Sequence, residues 1–160
     1  MREQPNVKIA TDAIKAWQLT AHIYALLPLL ITIVAIIVYN MFDFLSIWIV
    51  FILAVLTIAE WAVTAFFIPK LRWRRWRYQV YDQEIYIQHG ILIVTRTIVP
   101  MIRVQHVDTQ QGPILKNYKL ATLEISTAAT THQIPALSEE EASNLRDQIS
   151  ELARVEQDDV

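Results

Sequence analysis

The chain has no cysteine in its 160 residues, which excludes disulfide cross-links, a thiol nucleophile and any cysteine-based metal site. Histidine motifs for metal are missing too. His89, His106 and His132 stand apart from one another, with no H-E-x-x-H string or i,i+4 pair, so no cofactor and no metal is expected. Ser126, Thr127, Thr130 and Thr131 lack a nucleophile-elbow context, and catalysis finds no support. Internal repeats and low-complexity stretches are also absent. The most informative absence is charge. From Ala16 to Phe42 there is no Asp, Glu, Lys or Arg, and from Phe44 to Pro69 Glu60 stands alone.

About 20 apolar residues make a helix long enough to cross a ~30 Å hydrocarbon core, and both stretches suffice. Asn40-Met41-Phe42-Asp43 between them is too short for a folded domain, which predicts a two-helix transmembrane hairpin. A signal peptide fits poorly, because its apolar core is shorter and ends at a small-residue cleavage site. Arg2, Lys8 and Lys15 precede the first helix, and Lys70, Arg72, Arg74, Arg75 and Arg77 follow the second. The tip carries Asp43 and no basic residue. The positive-inside bias therefore places both termini in the cytoplasm. Trp17, Tyr24, Tyr39, Trp48, Trp73 and Trp76 are positioned for interfacial aromatic belts.

Charge is segregated along the chain. Residues 1–77 sum to +4, residues 78–137 are neutral, and residues 138–160 sum to −6. The residues beyond Arg75 suffice for one small domain with its own core. Period-two alternation predicts strands at Tyr78-Gln79-Val80-Tyr81, Ile85-Tyr86-Ile87-Gln88 and Ile91-Leu92-Ile93-Val94. Ile98-Val99-Pro100 continues the third run, and Ile102-Arg103-Val104 starts a fourth. Gly112-Pro113 marks a turn with a short helical piece to Tyr118; Leu120–Ile125 and His132–Ile134 read as later strands. Ser138 with Glu141 forms a capping box. Ala142, Leu145, Ile149 and Leu152 then share one face of a C-terminal amphipathic helix. Gln157 to Val160 reads as a frayed acidic tail.

The run Ile98-Val99-Pro100-Met101-Ile102-Arg103-Val104-Gln105-His106-Val107-Asp108, followed by Gln111-Gly112-Pro113-Ile114-Leu115, resembles the membrane-flanked bacterial pleckstrin-homology-like family. So do Leu120-Ala121-Thr122-Leu123, Thr127-Ala128, Ile134 to Ala142, and Ala13-Ile14 with Trp17. The likeness covers essentially the whole chain. It implies an α+β membrane protein: a transmembrane hairpin, then a pleckstrin-homology-like bent antiparallel sheet or barrel of seven strands, capped by the C-terminal helix. Lys119 stands where the family usually has Gly, and a second family Gly falls near Ala129; both departures affect turn geometry alone. The resemblance supplies no activity. Its members often accompany a larger relative carrying several such domains, which implies a hetero-complex.

The expected organisation is an N-terminal interfacial segment (1–20), the hairpin (21–69), a basic-aromatic juxtamembrane segment (70–77), the pleckstrin-homology-like domain (78–155) and an acidic tail (156–160). Three groups of side chains stand out. Lys70, Arg72, Trp73, Arg74, Arg75, Trp76 and Arg77 suit anionic lipid head groups, each cation worth about 1 kcal/mol near a charged surface. Their position beside a membrane argues against nucleic acid. Arg103, Gln105, Asp108 and Gln111 form a partner-binding or structural motif. Glu60 lies roughly 15 Å deeper than Lys70, where a charge costs about 2.5–3.5 kcal/mol; Thr32, at similar depth, is its expected hydrogen-bond partner. The loop Tyr81-Asp82-Gln83-Glu84 is acidic, so no phosphoinositide site is expected where eukaryotic relatives have theirs. The partners to expect are generic anionic lipids and another membrane protein, with a homo-oligomer as a further option. Two functions follow: a non-enzymatic interaction module held at the inner membrane face, or a subunit of an export or envelope-protection assembly acting through its helices and Glu60.

Overall fold

The computed structural model describes residues 4–42 and 46–158. Arg2 of the basic flank, the tip at Asp43 and the tail residues Asp159 and Val160 lie outside them. The chain forms two compact units, one of residues 17–70 and one of residues 1–16 with 71–160.

The first unit is helical. Helix α1 (Ala13–Phe42) is one uninterrupted rod despite Pro28. A second rod comprises α2 (Ile47–Ala62), a π turn (Val63–Phe67) and α3 (Ile68–Arg75). Both rods are long and apolar enough to span a membrane, and almost all of their apolar side chains face outward, as lipid-facing helices require and core helices of soluble proteins do not. Ser46 caps α2 by accepting from the Trp48 N–H. The π turn has a local cause. Pro69 lacks an N–H and its ring would crowd the carbonyl four residues back, and widening the helix just before it relieves that crowding.

The second unit contains six strands among the described residues, in two antiparallel sheets. Sheet order is β1 (Arg77–Val80), β2 (Glu84–His89), β3 (Thr95–Pro100) in one and β4 (Val104–Gln110), β5 (Leu120–Thr127), β6 (Thr131–Ser138) in the other. The resemblance implies seven strands; here Val7 adds a single bridge to Tyr78 on the outer edge of β1. A 3-10 turn (Met101–Arg103) carries the chain from one sheet to the other, pinned by the fully buried Met101. Helix α4 (Pro113–Asn117) follows the expected Gly112-Pro113 turn. Helix α5 (Glu139–Asp158) packs on β4, β5, β6 and the 3-10 turn through the fully buried Ala142 and Ile149. Its capping box is formed: Glu141 N–H donates to Ser138 Oγ at 3.2 Å and Ser138 N–H to Glu141 Oε2 at 3.2 Å. The helix runs through Asp158, past the expected start of the tail.

One expected strand is a loop. Ile91–Val94 forms the tip between β2 and β3, whose pairing closes at His89 and Thr95. A run rich in β-branched residues suggests pairing, but Gly90 at φ +109° reverses the chain first, and a Cβ there would fall 1.9 Å from the Ile93 carbonyl oxygen. Gly90 is therefore required for the tight loop.

Two bulges bend the second sheet. In β4, Val104 pairs with Thr127 and His106 with Ser126, leaving Gln105 as the extra residue. In β6 the register shifts opposite Ala121 and Leu123, at Pro135 and Ala136. Pro135 has no N–H to contribute to a ladder, and Ala136 takes φ +52°.

Lys119 also adopts a positive φ, +54°, where the family resemblance suggests Gly. A non-glycine residue pays a steric penalty in this region. Lys119→Gly is expected to raise stability by about 0.5 kcal/mol, since relief of strain exceeds the added unfolded-state entropy; a thermal melt showing no gain would contradict this.

Candidate functional site

The basic-aromatic segment divides in its use. Lys70, Arg74 and Arg75 are exposed, as head-group contact requires. The two tryptophans instead pack within the domain. Trp76 is only 7% exposed and stacks on His89 with ring centroids 5.2 Å apart. Trp73 donates its indole N–H to the Ile9 carbonyl at 3.1 Å, and Lys8 Nζ sits 4.9 Å from its ring centroid. This corrects their reading as interfacial residues. Trp73 owes its partners to residues 4–16, which fold back as a strap along the domain. Pro5, Ile9, Ala13 and Ala16 are buried, Val7 exchanges both backbone hydrogen bonds with Tyr78, and Ala10 N–H donates to the Ala136 carbonyl.

The motif residues separate in a similar way. Arg103 and Gln105 line one groove of about 550 Å³ at the corner where the two sheets meet, with Ile98, Ile102, Thr130 and His132. Its construction follows from the sequence. Pro100 leads extended backbone into the 3-10 turn, Met101 and Val104 anchor that turn in the core, and Ile102 and Arg103 are left outside. The bulge then breaks the alternation at Gln105 and re-aims it. The groove offers apolar Ile98 and Ile102 beside a guanidinium, an amide, a hydroxyl and an imidazole, a mixture suited to holding a peptide segment by shape and hydrogen bonds.

Asp108 and Gln111 lie elsewhere. Gln111 Nε2 donates to the Leu120 carbonyl at 2.9 Å and to Glu139 Oε1 at 2.5 Å, fastening β5 and the start of α5. Asp108 is exposed on β4, directly opposite Glu124 of β5. Glu124 accepts from Gln110 and from Gln133, which offsets the unfavourable facing of two carboxylates. No group of three metal-binding side chains occurs among the described residues.

In the helical unit Thr32 does not take Glu60 as its partner. Its hydroxyl donates to the Pro28 carbonyl at 2.9 Å and meets the Thr57 hydroxyl at 2.8 Å. Thr57 lies nearly one turn before Glu60, and a hydroxyl pair satisfies Thr32 without burying a carboxylate. Glu60 is exposed, at the edge of an apolar groove of about 400 Å³ that also includes Pro28, Thr32 and Thr57. Thr57 was legible only as one more polar residue in an apolar run.

A bent pair of antiparallel sheets closed by a C-terminal helix, joined to two apolar helices, agrees with the family that matches the chain over residues 13–153, described as the bacterial PH domain. The chain belongs to the bacterial PH domain family. It is 53% identical over its full length to the UPF0699 transmembrane protein YdbS of Bacillus subtilis (strain 168), covering all of that protein. It is 29% identical over 93 residues to the UPF0699 transmembrane protein YdbT of the same organism, a match that takes up 56% of this chain and 18% of YdbT. No solved structure matches the chain. The bacterial PH domain match includes the apolar helices as well as the sheets, so the membrane anchor is part of the shared pattern.

Tyr78 links the strap to this bacterial PH domain's core. Burial, with the Glu141 carboxylate adding to it, raises its phenol from 10.0 to about 12. Folding therefore keeps a proton that the unfolded chain releases above pH 10. The contribution is whole below pH 10 and is lost as pH rises through 12. Tyr78→Phe is expected to flatten the alkaline loss by roughly 1–2 kcal/mol; detergent-solubilised melts at pH 9 and 11.5 with equal losses in both proteins would refute it.

Proposed function

We propose that this protein is a non-enzymatic interaction module, anchored by its hairpin at the inner face of the bacterial cytoplasmic membrane and working within a protein complex. The corner groove carries this reading, because it presents Arg103 and Gln105 on a rigid turn and bulge with exposed isoleucines beside them. The strap supports a common side for both flanks of the hairpin, since residues 4–16 and 71–160 build one unit. The basic residues at 70–77 and the uncharged approach to the tip support the cytoplasm as that side. The partner is a second membrane protein, and a larger relative is the natural candidate. YdbT supports that choice, as a match of 93 residues fills only 18% of it.

A second reading places the function in the helices, as a subunit of an export or envelope-protection assembly. Its support is Glu60, exposed beside an apolar groove at a depth where a charge is costly. Crosslinking and pull-down of tagged full-length protein from native membranes separates the two. Arg103→Glu combined with Gln105→Ala is expected to lower partner capture at least about tenfold, the effect of losing a central contact, while Glu60→Gln leaves it intact. The reverse pattern would move the function into the bilayer.

A further inference from the structure

Among the described residues the two most exposed large apolar side chains are Leu92, at 96%, and Ile93, at 82%. They are neighbours at the tip of the β2–β3 loop, and from Gly90 to Val94 there is no polar side chain. A tight loop built on Gly90 holds them away from the domain rather than leaving them to collapse onto it.

The sheet register says where this tip points. Arg77, the first residue of β1, pairs with Gln88, and Gln88 pairs with Arg96. The start of β1 and the tip therefore share one end of the sheet, and the chain enters β1 two residues after the apolar rod ends at Arg75. The acidic loop at Asp82 occupies the opposite end, between Val80 and Glu84. Behind the tip, Arg77 and Arg96 flank Gln88 in one cross-strand row, with Arg96 Nε donating to Gln88 Oε1 at 3.0 Å. Exposed Arg74 and Arg75 lie just ahead of Arg77.

We propose that Leu92 and Ile93 insert into the leaflet that the basic segment faces, making the β2–β3 loop an additional membrane contact of the domain. An apolar tip with two arginines in the strand row next behind its closing His89–Thr95 pair has the chemistry of an anionic interface: acyl chains accept the tip while phosphates pair with the arginines. The site lies away from the corner groove and does not depend on the function proposed for it. It also orients the domain, with the Asp82 loop directed away from the bilayer.

The absence of cysteine permits a direct test. Leu92→Cys, Ile93→Cys and Asp82→Cys are each made in the full-length protein, labelled with a nitroxide, and reconstituted at high dilution in phosphatidylglycerol–phosphatidylcholine vesicles. Because all three side chains are exposed, labelling leaves the core untouched. Labels at 92 and 93 should collide readily with oxygen and lose access to a water-soluble nickel chelate, with the opposite pattern at 82. Nickel access at 92 and 93 equal to that at 82 would overturn the proposal. Protection of 92 and 93 from both reagents would overturn it as well, since that marks burial against protein, a second copy included.

Discussion

Val7 trades both main-chain hydrogen bonds with Tyr78 of β1, and three residues later Ala10 donates to Ala136 of β6. One short extended segment thereby joins two sheets that are otherwise connected through the turn at Met101. Burying Ile9, worth about 1.5–3 kcal/mol as a side chain, and seating Trp73 on its carbonyl hold this strap in place. Without it the outer edge of β1 would offer unpaired backbone groups, and Trp73 would lose its acceptor. Trp73 and the first turn of α1 are both positioned relative to this strap.

The two bulges have complementary effects. At Ala136 the departure from regular pairing comes with a positive φ, and the freed carbonyl serves the strap. At Gln105 the extra residue turns a ladder position outward into the corner groove. Each sacrifices ladder regularity on the same sheet, and each converts it into a directed polar group. The motif that identifies the family runs through one of these irregularities because the backbone bends there, which also explains why its residues do not all meet. Arg103 and Gln105 lie at the bend. Asp108 and Gln111 lie beyond it, on regular strand and loop.

Features governed by local chemistry were legible in the sequence. The uncharged runs gave both helices, Ser138 and Glu141 gave the start of α5, and Gly112-Pro113 gave α4. Features set by distant contacts were not. Trp76 has the same sequence signature whether it meets lipid or His89. The strap has no periodicity to announce it, because its partners lie about 70 and 126 residues away. Ile91–Val94 is composed like a strand, and the tight loop it forms is possible because Gly90 has no Cβ to meet the Ile93 carbonyl. Of the candidate site, Arg103 and Gln105 were readable as a motif, whereas the isoleucines and His132 beside them depend on how the sheets close.

The strap also has a consequence for biogenesis. Its residues leave the ribosome first, yet their partners on β1 and β6 are made later, one of them after almost the whole domain. The amino-terminal segment must therefore wait, unpaired, while the hairpin inserts. If one end of the hairpin came to rest on the wrong side of the bilayer, the strap and its receptor strands would be separated by lipid. The domain could then not close its β1 edge. Closure of the domain through the strap thus requires both flanks of the hairpin on one side of the bilayer.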